Sequence, residues 1–288
     1  MEWINVVIDH SENLIDTGFI SEIKEALSFG ELGLEKESFR MLQSQISQSA
    51  HPKSIGSALC NQYITTDFSE AQLELITPPL PDKKAGLEFL EHIHHFIAHN
   101  INEEILWPFS IPPAVKSEQD VPIADYGISN LGLFKQLYRK GLSHRYGRTM
   151  QAISGLHYNY SLPDSIWHSS FFEDDKFDSR VIRSEGYFRM LRNIYRMNWL
   201  VLYLFGASPI LTKDLLTKAS EPFQKLDNQT YYLPYATSLR MSDFGYQNLL
   251  RAALNVSSDS LNDYISDLNM ATGTISEDFQ HIDTQNNT

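Results

Sequence analysis

The spacing of apolar residues along the chain predicts a series of helices with strands between them. Apolar residues recur every three or four positions, which places them on one face of a helix, at 20–29, 87–101, 131–140, 187–205 and 261–270. In the second of these, the packing face is expected to carry Leu87, Leu90, His94, Ile97 and Ile101. The fourth is apolar over most of its surface, so it is expected to be buried.

Strands are expected where apolar and polar residues alternate, because successive side chains of a strand point to opposite faces. Alternation, or a β-branched and aromatic composition, marks 32–41, 62–76 (one strand or a pair), 151–161 and the start of 231–239. Loops are expected at 43–53, 107–113 and 165–180. Since the strands alternate instead of being wholly apolar, the pattern favours an α+β fold with an antiparallel sheet that has one polar face.

Charge and cysteine content narrow the class of protein. The 288 residues include 23 Lys and Arg against 36 Asp and Glu, a formal net charge of −13. Such a charge argues against a nucleic-acid partner, because those binders face phosphates with basic residues. The single cysteine, Cys60, suits a reducing compartment. The longest apolar run, 199–205, is too short to span a membrane, so a cytoplasmic protein without a membrane partner is expected.

The first candidate for chemistry is a pair of carboxylates in the predicted strand at 32–41. Glu35 and Glu37 lie two residues apart and would share one face. One interpretation is an ordinary solvated strand face, with Lys36 and Arg40 on the other side. The other is a cation site, because neighbouring carboxylates repel each other unless a cation or a proton lies between them, and hard cations such as Mg²⁺ take oxygen ligands.

Two further segments place polar groups on strands. Gln72 and Glu74 would share a face, and Asp67 could approach the first carboxylates across the sheet. A helix through 67–74 would instead make an exposed acidic face, but the β-branched run at 64–66 and the stop at Pro78 favour a strand. The third segment sets His157 and Asn159 on one face. A lone strand histidine is more often a core residue than a ligand.

Other patterns point to no standard nucleotide site. The histidines at 92, 94, 95 and 99 contain no His-Glu-x-x-His motif, and neither a G-x-x-x-x-G-K-[ST] loop nor a G-x-G-x-x-G loop occurs. A cationic cluster stands out in this acidic chain: Arg139, Lys140, His144, Arg145 and Arg148. It is either a neutralised helix surface or a contact for phosphate or carboxylate groups.

Taken together, these stretches closely resemble the proteobacterial type of glutamate–cysteine ligase. The resemblance runs from about residue 20 to 270 and rests on EKESFR at 35–40, YITTDFSEA at 63–71, LELITP at 73–78, LWP at 106–108, LYR at 137–139, ISGLHYN at 153–159 and LPYATSLR at 233–240. It implies a glutamine-synthetase-like fold, in which helices surround an antiparallel sheet funnel lined by metal ligands. The expected catalytic domain is 1–270, followed by a polar tail at 271–288.

The resemblance also implies roles for individual residues. It places the family's magnesium ligands (Mn²⁺ being the alternative metal) at Glu35, Glu37, Asp67, Glu74 and His157. It places the pocket for the cysteine acceptor at Phe68, Tyr138 and Tyr246, and contacts to substrate or phosphate oxygens at Arg139 and Arg240. The implied reaction is ATP-dependent ligation of L-glutamate, through its γ-carboxylate, to L-cysteine via γ-glutamyl phosphate, the first step of glutathione biosynthesis.

The sequence departs from the family in length. Family chains are nearly twice as long, and their later part supplies a further metal-binding glutamate and an arginine beside it. The sheet is therefore expected to be incomplete at its C-terminal end. Either a second chain supplies the missing segment, or the protein is a catalytically silent remnant that binds or regulates.

Overall fold

The computed structural model describes residues 17–112, 115–168, 178–206, 209–218, 223–238 and 256–274. The helices are α1 (Thr17–Ser28), α2 (Lys83–Ala98), α3 (Asn130–Tyr146), α4 (Arg148–Gln151), α5 (Ser179–Phe205) and α6 (Leu261–Thr272). The strands are β1 (Glu31–Leu42), β2 (Gln45–Ile46), β3 (Ile64–Thr66), β4 (Gln72–Ile76), β5 (Ile105–Leu106), β6 (Leu156–Ser161), β7 (Ile210–Thr212), β8 (Gln224–Lys225) and β9 (Thr230–Tyr232). No helix of the described residues is long and apolar enough to cross a membrane.

Strand β1 is the centre of the larger sheet. It pairs with β4 through residues 35–39 and with β6 through residues 31–36, and its last residues pair with β2 and β5. Strand β3 extends the sheet beyond β4. A smaller sheet has the order β7-β9-β8. All of these pairings are antiparallel, which confirms the α+β class with an antiparallel sheet.

The two faces of the large sheet follow from the alternation in its strands. Helix α2 covers one face, where strand residues such as Leu34 and Leu73 are buried against Leu90, Ile93 and Ile97. Asp82 caps this helix by accepting a hydrogen bond from the Lys84 backbone N–H at 2.9 Å. The helix therefore covers the apolar face over β1 and β4, whereas Leu156 and Tyr158 of β6 on the same face are exposed. The polar side chains of β1, β4 and β6 lie on the other face.

A second apolar cluster anchors the end of β1 away from β6. It joins Phe39 and Met41 to Phe68, Ala71 and Val121. Because Phe68 belongs to this cluster, the segment next to it that carries Asp67 has a fixed backbone. The core thus holds in place the turn from which the candidate site is built.

The structure confirms most of the predicted elements. The helix at 20–29, the strand at 32–41, the strand pair within 62–76 and the helix at 261–270 correspond to α1, β1, β3 with β4, and α6. Helices are also present at the other predicted ranges, although α2 and α3 begin or end several residues away from the predicted bounds. Most of the polar tail, residues 275–288, lies outside the described residues.

Four expectations were wrong. The predicted strand at 151–161 begins only at Leu156, because Glu118 accepts hydrogen bonds at the start of α4 and holds that helical turn. The predicted loop at 43–53 contains the short strand β2. Leu87 is 60% exposed, and Ile93 takes its expected place in the packing face. Helix α5 starts at Ser179 and has no buried residue, although it was expected to be buried.

The interpretation of β1 as an ordinary solvated face is also wrong. Glu37 is buried, and so is Arg40, whose guanidinium pairs with the Glu104 carboxylate at 2.7 Å. Lys36 lies under α2, where its ammonium group contacts Ser38 Oγ at 2.9 Å and His94 Nε2 at 3.0 Å. Burial lowers the pKa of both Lys36 and His94. Lys36, Glu37 and Arg40 are therefore held within the protein, whereas Glu31 is exposed and Glu35 is only partly buried.

Candidate active site

The register of the sheet brings the predicted site residues into facing pairs. On β1, Glu35 lies opposite His157 of β6, and Glu37 lies opposite Glu74 of β4. Directly opposed like charges destabilise a sheet, so the pair of Glu37 and Glu74 needs a proton or a cation. Antiparallel pairing on both sides of β1 is thus what assembles a cluster from three separate parts of the sequence.

The outer half of the cluster is held by hydrogen bonds to Glu35. The Glu35 Oε2 atom lies 3.1 Å from His157 Nδ1, and Asn159 Nδ2 donates to Glu35 Oε1 at 2.8 Å. The His157 side chain is 41% exposed and that of Glu35 31%. The contacts between β1 and β6 therefore hold Glu35 and His157 in place, and both side chains remain accessible from solvent.

The inner half is centred on Glu37, which is buried. Its Oε2 atom accepts a hydrogen bond from the Gly155 backbone N–H at 2.7 Å and lies 3.5 Å from Gln72 Nε2. Its Oε1 atom lies 3.6 Å from His157 Nε2. The imidazole of His157 thus bridges the two β1 carboxylates, with one ring nitrogen toward each.

The negative charge of this cluster is strongest at Glu74. Burial, followed by the neighbouring carboxylates of Asp67, Glu37 and Glu35, raises the pKa of Glu74 to about 7, and the His157 imidazole partly opposes this rise. A carboxyl that holds its proton near neutral pH marks a place where negative charge exceeds the available counter-charge. A cation placed among these oxygens would relieve that excess.

A cavity of about 380 Å³ opens beside the cluster. Its lining joins the sheet to helix α3 and consists of Glu37, Asp67, Phe68, Tyr138, Arg139, Leu142, Arg145, Tyr146, Gln151 and His157. Among the residues assigned by resemblance, Tyr138 is exposed, whereas Phe68 is buried in the second apolar cluster. Acidic, basic and aromatic groups therefore face one space of the size of a small ligand.

Arg139 is tied to the wall of this cavity. Its Nε donates to the backbone carbonyl of Asp67, and its terminal nitrogens donate to Thr66 O at 3.3 Å and Lys135 O at 3.1 Å. The guanidinium also lies 4.7 Å from the ring centroid of Tyr126. A guanidinium has five N–H groups, so two of them have no partner among the described residues.

The structure accounts for some predicted site residues and not for others. Glu35, Glu37, Asp67, Glu74 and His157 lie near one another, and Phe68, Tyr138 and Arg139 line the adjoining cavity. Arg240 and Tyr246 lie outside the described residues.

Sequence reasoning singled out Gln72 and Arg145 but missed the Gly155 N–H, Leu142 and Tyr146 around the cavity. Gln72 and the Gly155 N–H contact Glu37, while Leu142, Arg145 and Tyr146 continue the lining along α3. The spacing of Tyr138, Leu142 and Arg145 is helical and would have revealed a single face, but the predicted helix ended at residue 140. The contact from Gly155 has no sequence signal, since any residue has the same backbone N–H.

Comparison with known proteins decides the family. The model of the family described as "Glutamate-cysteine ligase" matches residues 19–288. The chain belongs to the glutamate–cysteine ligase family. Curated glutamate–cysteine ligases from Pseudomonas putida W619 and Pseudomonas entomophila L48 are 48% and 47% identical to it over 244 residues, 84% of this chain and 46% of each relative.

Solved ligase structures share the fold. The glutamate–cysteine ligase of Francisella tularensis, crystallised in complex with AMP, has a TM-score of 0.80 and 36% identity, covering 89% of this chain and 51% of that one. A bifunctional glutathione synthetase from Pasteurella multocida has a TM-score of 0.72 and 30% identity, covering 90% and 32%. This chain spans about half the length of the curated ligases it matches.

The donor set of the ligase cluster suits a hard cation. It consists of four carboxylates and one imidazole and contains no thiolate. Such a set suits Mg²⁺ or Mn²⁺ better than it suits softer metals. Among the described residues, no three acidic, histidine or cysteine side chains form a ready-made metal site. His157, which now lies between Glu35 and Glu37, occupies the space where their oxygens would meet an ion. The groups therefore fit a metal in kind, and binding requires these side chains to turn.

Proposed function

We propose that this protein carries out the ATP-dependent ligation of L-glutamate to L-cysteine, through the γ-carboxylate of glutamate, with γ-glutamyl phosphate as intermediate. The observation that carries the proposal is the cluster of Glu35, Glu37 and Glu74 beside a cavity bordered by Arg139. The family membership and the AMP complex of the Francisella relative support ATP as co-substrate. The reaction is the first step of glutathione biosynthesis.

The chemistry needs charge stabilisation at two steps. The γ-carboxylate of glutamate attacks the terminal phosphorus of ATP and ADP leaves, after which the cysteine amine attacks the acyl carbon and phosphate leaves. Both steps build negative charge on oxygens. The unpaired N–H groups of Arg139 border the cavity where that charge would develop, and Phe68 and Tyr138 would enclose the acceptor. Arg240 and Tyr246 remain assignments by resemblance.

A divalent cation would be held by Glu35, Glu37, Asp67, Glu74 and His157, and we propose Mg²⁺ or Mn²⁺. Bound there, it would supply neutralisation of phosphate charge. The hydrogen bonds of Gly155 and Gln72 to Glu37 would keep one carboxylate oriented while His157 moves aside. Asn159 would do the same for Glu35.

We also propose that residues 1–270 form the catalytic part and that a second chain supplies the remaining ligase segment. We propose a cytoplasmic location as well, because ATP and cysteine in its reduced form are available there. The alternative, a catalytically silent binding protein, requires saturable binding of ATP or glutamate without turnover. The family comparison does not favour it.

The test is ADP release by the chain with Mg²⁺, ATP, glutamate and cysteine, alone and with the additional segment of a relative. We expect metal-dependent release that Glu35→Gln lowers by roughly 100-fold, because the substitution keeps the size but removes one charge from the cation site. Glu88→Gln is the matched control, since Glu88 lies on the exposed side of α2 against Lys84 at 3.6 Å. Equal activity of the two variants would reject the cation site.

A further inference from the structure

The second half of α5, residues 194–205, is apolar but exposed. Arg196 is its only charged residue. Trp199 is 62% exposed, Tyr203 70% and Phe205 79%. The other exposed apolar residues of this segment are Ile194, Tyr195, Met197, Val201 and Leu204. At about 100° per residue these positions are spread around most of the helix, and a helix that is apolar all round belongs in an interior.

Among the residues that the structure describes, the contacts of α5 lie on either side of this segment. Near the start of the helix, Tyr187 packs against Trp167 and Phe188 against Tyr264 of α6. Arg192 donates to the backbone carbonyls just before α6. At the far end Gly206 lies against the Thr237 carbonyl, where a Cβ would come within 2.3 Å. The helix is thus held at both ends, while its apolar stretch between them faces solvent.

The exposed area is larger than a free protein usually tolerates. Each aromatic side chain has on the order of 200 Å² of surface, so Trp199, Tyr203 and Phe205 alone present about 400 Å². That lies within the range of about 300 to 600 Å² found for the largest apolar patch of a typical monomer, before the aliphatic neighbours are added. Strand β6 also favours a binding partner. Among the described strands it pairs with β1 alone, so its other edge has unpaired backbone N–H and C=O groups.

We propose that residues 194–205 of α5 form the docking surface for the part of a glutamate–cysteine ligase that this chain does not match. The proposal rests on the proposed function. This chain covers 46% of the Pseudomonas relatives and 51% of the Francisella structure, so a second part of similar size exists in those ligases. Its contact surface would be apolar, with a hydrogen-bond acceptor for Arg196. A homodimer formed through α5 would also bury the helix, but it would leave no surface on α5 for that second part.

The experiment mixes the full chain with the unmatched part of the Pseudomonas putida relative, produced as a separate polypeptide, and measures association by analytical ultracentrifugation. We expect a one-to-one complex. The double variant Trp199→Glu with Tyr203→Glu should weaken it by roughly ten-fold or more, the effect of losing central aromatic anchors. Leu87→Glu, at a position equally exposed on α2, should leave it unchanged. Circular dichroism verifies that each variant is folded.

Hydroxyl-radical footprinting of the unsubstituted chain gives an independent readout. The partner should protect residues 194–205 from oxidation and leave the face of α2 around Leu87 unchanged. No complex, a complex that ignores the double variant, self-association through the same residues, or binding to phosphatidylglycerol vesicles in place of the partner would each overturn the proposal. Complex formation without ADP release would overturn the proposed function and leave this surface intact.

Discussion

The glutamates of the site differ in the neighbours that surround them. Glu37 is fixed by the Gly155 N–H and Glu35 by Asn159, whereas Glu74 faces mainly other carboxylates. The pairing of Glu35 and Glu37 on one face followed from the period of a strand, and it could be predicted from sequence. The burial of Glu37 could not, because it depends on Gln72 and residues 154–155, which are distant in sequence and have no pattern of their own.

The raised pKa of Glu74 predicts how the stability of the metal-free protein depends on pH. Its folded pKa of about 7 lies above the usual value of 4.5, so the folded state favours the protonated carboxyl. Stability from this group is fully present below pH 4.5 and is lost as the pH rises through 7. In EDTA, Glu74→Gln should therefore raise the free energy of unfolding above pH 7 by about 1 to 2 kcal/mol, a value reduced for partial solvent exposure.

Urea denaturation at pH 5 and pH 8 measures this effect. The gain should be clearly larger at pH 8, and Glu88→Gln on the surface of α2 should show no difference between the two. If Glu74→Gln destabilised the protein equally at both pH values, the carboxyl would be serving as an ordinary hydrogen-bonding group.

Among the elements, helix α3 is held in place by a close backbone contact at Gly132. Gly132 packs so closely that a Cβ would lie 2.5 Å from the Tyr126 carbonyl oxygen, and the same helix carries Tyr138 and Arg139. Gly132→Ala should force the helix outward and lower the stability by about 1 to 3 kcal/mol. Gly141→Ala on the same helix, where nothing lies within 4 Å, should be neutral or stabilise by up to about 1 kcal/mol.

Thermal unfolding of both glycine variants, with ADP release by each, makes this comparison. Equal stability changes would show that the approach of α3 to Tyr126 is not a real constraint.

At the scale of the elements, the sequence predicted which helices and strands exist better than it predicted what packs against them. Periodicity identified α5 as a helix but not as an exposed one, because burial depends on what packs against it, and the start of β6 depends on Glu118, which reaches α4 from another loop.

At the scale of the whole molecule, β1 is the strand around which Glu35, Glu37, Glu74 and His157 are brought together. One face of the sheet packs on α2 and stabilises the fold, and the other presents carboxylates to the cavity under α3. The antiparallel sheet and the polar face could be predicted from alternation. The exposure of residues 194–205 of α5 could not, because exposure depends on tertiary contacts that the spacing of apolar residues does not encode.

Transfer of oxygen from glutamate to phosphate tests the proposed reaction most directly. Glutamate labelled with ¹⁸O in its γ-carboxylate is incubated with ATP, Mg²⁺, cysteine and the chain, alone and with the unmatched part of a relative, and the released phosphate is analysed by mass spectrometry. If γ-glutamyl phosphate forms, the bond between phosphorus and the carboxylate oxygen persists when the amine displaces phosphate. One labelled oxygen then appears in each phosphate, together with γ-glutamylcysteine. Phosphate that carries no label while γ-glutamylcysteine accumulates would contradict the acyl-phosphate route.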